Sequence, residues 1–244
     1  MIKDGNQEKT YVSSVLMIGQ SNMAGRGNME DVQPIRDSRC FVLRNGKWQP
    51  MREPVNPDRA IFEGMYRSGV SLATSFARDF AEHFDAPVGL IPCADGGSSL
   101  NQWKPGEILY DHAVCIAKLA QRSSQLKAII WHQGESDCHE DELIRSYPER
   151  FISMITQMRK DLNAENVPVI LGELSWKTDR FGYDQAQVDQ MNKQFHVIAQ
   201  KLPLCAVASA EGLNMKPDGI HFDSVSCREF GSRYFKAYQT LLEK

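Results

Sequence analysis

Five short apolar runs, at residues 14–18, 88–93, 128–131, 167–171 and 204–208, are separated by stretches in which apolar residues recur at helical spacing. No other feature of the chain limits its fold as much. A run of consecutive apolar residues suits a strand covered on both faces, and strands alternating with helices pair in parallel. Leu72, Phe76, Phe80 and Phe84, with Ala73 and Ala77, form one helical stripe, and residues 108–120 form a second helix. Ile144, Tyr147, Phe151, Ile155, Met158 and Leu162 lie on one face of a longer one. Asp184 to Gln187 reads as a capping signal for a helix reaching Ala199. Ser226-Cys227-Arg228-Glu229 reads as a capping box for a last helix carrying Phe230, Tyr234, Tyr238 and Leu241. The expected architecture is α/β, a three-layer α/β/α sandwich around a central five-stranded parallel sheet.

Residues 28–66 break the alternation. Pro34, Pro50, Pro54 and Pro57 interrupt them, and Asn45-Gly46 makes a turn between Phe41-Val42-Leu43 and Trp48. A short hairpin followed by irregular loop fits, an insertion placed to form one wall of a pocket. With no repeat, low-complexity block or linker, residues 1–244 read as one domain, and 42% hydrophobic content is enough for one sizeable core. A net charge of −3 without runs of one sign argues against nucleic acid or an anionic membrane as partner. No stretch approaches the roughly 20 apolar residues of a membrane span. The first ten residues are polar and lack the apolar centre of a signal peptide, so the expected location is cytoplasmic, or exported where a leader has been removed. The six cysteines are scattered, with no C-x-x-C pair, and read as free thiols; Cys93, Cys115 and Cys205 fall in apolar patterns that suit the core.

In parallel sheets, ligands bind beyond the carboxyl ends of the strands. Four chemically suggestive segments lie there. The first run stops at Gly19 and is followed at once by Ser21, a hydroxyl presented at the sheet's edge that serves either as a nucleophile or as a turn cap. The second run leads to Gly96-Gly97, whose backbone can turn its N–H groups toward an anion. The third leads to His132-Gln133-Gly134-Glu135, where the Gln133 amide can donate to a developing oxyanion. The last leads, after a turn, to Asp218-Gly219-Ile220-His221, a carboxylate and an imidazole three residues apart. His132, Glu135, Cys138 and His139 match no zinc spacing, so neither a metal nor another cofactor is expected.

Together these segments resemble the SGNH hydrolase superfamily, in which a catalytic serine follows the first strand and a D-x-x-H motif lies near the C-terminus. More narrowly, Gly19-Gln20-Ser21-Asn22-Met23-Ala24-Gly25, Gly96-Gly97-Ser98-Ser99-Leu100 with Trp103, His132-Gln133-Gly134-Glu135 and Asp218-Gly219-Ile220-His221-Phe222 are similar to its carbohydrate acetylesterase branch. That branch includes acetylxylan esterases and sialate O-acetylesterase-like domains. The resemblance covers nearly the whole chain and implies an SGNH/flavodoxin-like sheet. It also implies Ser21 as nucleophile, His221 as base and Asp218 as the triad acid, with Glu135 a competing or supporting acid. The oxyanion donors it implies are the Ser21 N–H, a glycine N–H of the Gly96-Gly97 turn (Gly97 is preferred) and the Gln133 side chain. One departure is the segment 66–72, which lacks the Gly-Pro expected before the first long helix.

The chemistry implied is ester hydrolysis. An imidazole, with an ordinary pKa of about 6.5, can take the serine proton near neutrality. The expected partner is a small-molecule or oligosaccharide acetyl ester. Trp103 is a candidate to stack on a sugar ring or else a packing residue. Arg26 is a candidate to bind a carboxylate or sugar hydroxyl, or else a surface residue paired with Glu30 or Asp31. Competing readings are a thioesterase or lipase-like enzyme for longer acyl chains, and a carbohydrate-binding module without activity. The polar character of residues 28–66 disfavours the first. The joint presence of Ser21, Gln133, Asp218 and His221 disfavours the second.

Overall fold

The computed structural model describes residues 12–58, 67–175 and 184–243. The polar first ten residues, the end of the 28–66 insertion (59–66) and the start of the segment 66–72 lie outside the described residues. In chain order the elements are β1 (Val12–Gly19), a one-turn helix α1 (Ser21–Ala24), β2 (Cys40–Arg44), β3 (Lys47–Pro50), α2 (Leu72–Phe84) and β4 (Val88–Pro92). There follow α3 (Ile108–Gln121), β5 (Ser124–His132), α4 (Asp141–Asp161), β6 (Val169–Gly172), α5 (Gln185–Lys201), β7 (Cys205–Ala208) and α6 (Ser224–Leu242). They form an α/β fold around one mostly parallel sheet of order β3-β2-β4-β1-β5-β6-β7.

The apolar runs work as strands because successive side chains point to opposite faces. Leu16 and Ile18 of β1, Ile129 and Trp131 of β5, and Val169 and Leu171 of β6 pack with residues of α3, α4 and α5. Val15 and Met17, Ala128 and Ile130, and Ile170 face the other way, toward α2 and α6. Both faces of the centre are therefore dry, and Val15 through Ile18 are fully buried. Aromatic edges close the α2–α6 layer, with Phe76 meeting Phe235 and Tyr238 at 5.7 and 5.9 Å.

Four sequence expectations are revised. Among the described residues the sheet has seven strands, not five. The hairpin at Asn45-Gly46 forms, with both residues at positive φ, but β2 also pairs in parallel with β4, Phe41 opposite Gly89. Alternation with helices counts only strands that a helix follows, so a hairpin added to the edge escapes it. Trp48 of β3 lies on Gly89, where a Cβ would come within 2.3 Å of its ring. The last helix begins at Ser224, not Ser226, because Asp223 is the cap and accepts from the Ser226 N–H at 2.7 Å. Cys115, expected in the core, is exposed. The α5 signal does form a capping box, Asp184 with Gln187. The strand expected from Val167 starts at Val169, after Pro168, which has no N–H to pair. Among the described residues no helix is long and apolar enough to cross a membrane.

The insertion is fastened to the helices. Glu53 and Arg228 form an ion pair in which the Glu53 side chain is buried, and Thr74 of α2 shares it through hydrogen bonds. The sheet's centre is tied just as firmly. The Gln20 N–H donates to His132 O at 2.8 Å and the Asp95 N–H to Gly19 O at 2.9 Å, which joins the ends of β5, β1 and β4. Gly19 makes this possible: its φ is +126°, and a Cβ would lie 2.2 Å from His132 O. Gly19→Ala is therefore expected to cost more than about 2 kcal/mol, measured as a fall in the urea midpoint at unchanged slope.

Candidate active site

The strand order turns at β1, which has β4 on one side and β5 on the other. The crevice beyond its carboxyl end is where a doubly wound sheet opens a ligand site. Ser21 stands there as the first residue of α1, whose turn is closed by Met23 and Ala24 N–H groups on Gln20 O and the Gly25 N–H on Ser21 O. The Ser21 N–H opens the turn and is not consumed by it.

The loop after β7 brings His221 to this serine. It is pinched shut by Lys216 N–H on His221 O at 2.7 Å, Gly219 N–H on Lys216 O at 2.9 Å and a Met215–Phe222 bridge. His221 Nε2 lies 2.9 Å from Ser21 Oγ, and Nδ1 lies 3.0 Å from Asp218 Oδ2. The other carboxylate oxygen, Oδ1, accepts the Ile220 and His221 N–H groups, each at 3.0 Å. Burial pushes the Asp218 carboxyl up, but its bonds to the His221 ring and these two N–H groups outweigh it and hold it below its ordinary value. An ionised Asp218 only accepts, so Nδ1 carries the proton and Nε2 accepts from the Ser21 hydroxyl.

Glu135, the competing acid, faces elsewhere. Its Oε1 accepts from Asn22 Nδ2 at 2.8 Å and lies 3.5 Å from His132 Nε2. Among the described residues the carboxylate on His221 is that of Asp218.

The Gly96-Gly97 turn lies against the nucleophile. A Cβ on Gly96 would sit 3.6 Å from Ser21 Cβ and 2.6 Å from an Arg26 terminal nitrogen, so Gly96 is the glycine in contact with Ser21. Gly97, the preferred donor, has a φ of +77° and nothing within 4 Å of its Cβ position. Arg26 thus lines the nucleophile's side of the turn. It also donates to Gly25 O at 2.8 Å, and Lys216 Nζ donates to Arg26 O at 2.8 Å. Asp31, one of its expected partners, accepts from Ser224 Oγ.

Two expectations are corrected here. Gln133 is fully buried, and both of its amide protons are engaged, on Ser98 O at 3.0 Å and on Asp137 Oδ2 at 2.7 Å. Its oxygen accepts from Tyr147 Oη at 2.7 Å. Because Ser98 O and Asp137 can only accept, the orientation of the amide is determined, and no proton is left for an oxyanion. Gln133 instead anchors the segment that follows Gly96-Gly97. Trp103 is no sugar platform. It is fully buried, meets Trp131 edge-on at 5.3 Å and donates from Nε1 to Ser98 Oγ at 3.0 Å.

Asp137 and Asn22 were not singled out from the sequence. Asp137 is fully buried and accepts from the Leu100 N–H at 2.8 Å, from Gln133 and from Arg150 at 3.2 Å. An acid two residues after Glu135, in the segment that follows β5, was its one available signal. Among the described residues no group of three His, Cys, Asp or Glu side chains is arranged to hold a metal ion.

The buried Glu135 makes a testable contribution. Desolvation raises its carboxyl, but His132 and the Asn22 bond outweigh that, and it is held below its ordinary value. The native carboxyl therefore binds its proton less readily than the unfolded one. Its stabilisation is complete above the ordinary carboxylate value of about 4 and disappears as the pH falls through the lower native one. For Glu135→Gln the urea midpoint should fall less steeply than that of the wild type when the pH is lowered from about 5 to 3.

A probable carbohydrate esterase from Arabidopsis thaliana is 28% identical over 91% of this chain and 88% of its own length. The crystal structure of the Arabidopsis protein superposes with a TM-score of 0.84 at 25% identity, covering 94% of this chain and 98% of that one. The structure of NanS gives a TM-score of 0.74 at 17% identity over 96% and 98%. A carbohydrate acetylesterase from Xanthomonas citri gives 0.69 at 19% over 94% of this chain and 56% of that one. The family model described as "carbohydrate esterase, sialic acid-specific acetylesterase" matches residues 12–240. The chain belongs to that family of carbohydrate esterases and is a carboxylic ester hydrolase.

Proposed function

We propose that the protein removes O-acetyl groups from carbohydrates through a Ser21–His221–Asp218 triad and an acetyl-enzyme. The observation that carries this reading is the continuous chain Ser21 Oγ–His221 Nε2 at 2.9 Å and His221 Nδ1–Asp218 Oδ2 at 3.0 Å, placed where the strand order turns. In this scheme Ser21 Oγ attacks the acetyl carbonyl carbon while His221 Nε2 takes its proton. The resulting oxyanion lies toward the Ser21 N–H and the Gly96-Gly97 turn, donors held in place before the reaction begins. As the intermediate collapses, the C–O bond to the sugar breaks and His221 returns the proton to the departing sugar oxygen. Water then attacks the acetyl-enzyme, His221 takes the water's proton, and acetate leaves as Ser21 regains it.

The family's description and the acetylesterase among the structural neighbours support acetyl as the acyl group. Within the sugars, the family's description favours an O-acetylated sialic acid over a neutral xylo-oligosaccharide. An Arg26 terminal nitrogen lies beside Gly96 on the nucleophile's side, where it can meet a polar group of the sugar.

Ser21→Ala is expected to lower acetate release from an activated acetyl ester by at least about 10⁴-fold and to abolish labelling by a serine-directed organophosphate. Near-normal turnover by the purified variant would sink the proposal. Asp218→Asn should cost roughly 10³–10⁴-fold in kcat by favouring the wrong tautomer. For the sugar, O-acetylated sialic acid and acetylated xylo-oligosaccharides should be compared directly, and Arg26→Ala should raise KM for the preferred sugar. Equal inactivity on both would remove the sugar ester and leave the esterase.

A further inference from the structure

The residue after the nucleophile has no part in the chemistry proposed above, yet its side chain is buried and fully engaged. Asn22 Oδ1 accepts from the Phe222 N–H at 3.1 Å, and Nδ2 donates to Ile220 O at 3.0 Å. These two backbone groups stand immediately before and after His221. The second Nδ2 proton goes to Glu135 Oε1 at 2.8 Å. An N–H can only donate, and a carbonyl only accept, so the amide can take only one orientation. Glu135 is itself backed by His132, whose Nδ1 lies 3.0 Å from Tyr234 Oη, and Tyr234 donates to Trp131 O at 2.9 Å. His132, whose Nε2 lies 3.5 Å from Glu135 Oε1, thus places β5 and α6 behind Glu135 and Asn22, and Asn22 bonds the backbone on both sides of His221.

We infer that Asn22 is a positioning residue: braced by Glu135, it sets the His221 ring at hydrogen-bond distance from Ser21. The inference rests on the triad reading above. The contacts within the loop explain why a brace is needed. The Asp218 bonds to His221 Nδ1 and to the Ile220 and His221 N–H groups all lie inside residues 218–221. They orient the ring relative to its own loop and do not locate that loop relative to Ser21. Asn22 supplies that second relation, and it is covalently adjacent to the nucleophile. Lys216 Nζ on Arg26 O is a further tie between the same two segments, on the far side of the loop. An ångström of misplacement between nucleophile and base is enough to cost about 10²-fold.

The test uses pH–rate profiles on an activated acetyl ester with wild type, Asn22→Ala, Asn22→Asp, Glu135→Gln, Asp218→Asn and Ser21→Ala. Near-UV circular dichroism and the urea midpoint report folding. Hydrolysis by the wild type and its loss in Ser21→Ala establish the triad reading independently; persistence in Ser21→Ala would refute that reading and not the positioning role. Asn22→Ala should lower kcat by roughly 10²-fold and change KM little. The acid limb of kcat/KM should stay in place, because the His221–Asp218 pair travels with its loop. Asp218→Asn should move that limb. Asn22→Asp is nearly isosteric and keeps the acceptor for Phe222, but loses both donors, so its kcat should fall as well. Glu135→Gln should lower kcat less than Asn22→Ala, again with the limb unmoved.

A folded Asn22 variant with near-wild-type kcat would overturn the inference. So would a shifted acid limb in Asn22→Ala or Glu135→Gln, since the action would then be through charge on His221. Failure of both Asn22 variants to fold would overturn it too, by assigning the contacts to stability.

Discussion

The site depends on how closely the end of β1 is held between its two neighbours. Gly19 O accepts one hydrogen bond from the chain after β4, and the Gln20 N–H donates one to the last residue of β5. No side chain fits at Gly19, since His132 O occupies its place. This close approach fixes three loops relative to one another before any side chain of the site is considered. Ser21 follows one of them, the Gly96-Gly97 turn ends the second, and Gln133 and Glu135 begin the third. Only the loop carrying His221 comes from a distant part of the sheet.

Two buried polar networks complete the arrangement, one for each side of the nucleophile. Asp137, Arg150 and Gln133 hold Ser98 and Leu100, and with them the glycine turn. Asn22 and Glu135 hold the residues flanking His221. Buried amides and carboxylates are costly unless their hydrogen bonds are made, so such networks have few alternative arrangements. That is a useful property in a region where the reacting atoms must not drift.

Much of this was legible in the chain. The unbroken apolar run Val15, Leu16, Met17 and Ile18 corresponds to a strand buried on both faces, and the helical period of Phe76 and Phe80 to the face they bury. Ser21, the glycine turn, the Gln133–Glu135 segment and Asp218–His221 all lie beyond strand ends, and that much was inferred before the fold was known. What was not legible is where protons and rings point. The spacing of Gln133 places its amide near the site but does not reveal that Asp137 and Ser98 take both protons. Trp103 follows the glycine turn closely enough to reach a ligand, yet the hydroxyl of Ser98 and the edge of Trp131 draw it inward. In the sequence Asp218 stood as the triad acid and Glu135 as a competing or supporting one. Only the three-dimensional path of the loop after β7 separates them.

The hairpin that joins β4 also has a bearing on how this protein behaves among its own copies. Without β2 and β3, β4 would present an open row of peptide groups at the sheet's margin, ready to recruit a strand from another molecule. With them, the margin is β3, four residues long and mostly solvated. It begins at a lysine and ends at a proline, and Pro50 has no N–H to offer an incoming strand. The insertion thus acts as a guard against edge-to-edge association. Removing its hairpin would expose the chain to self-assembly.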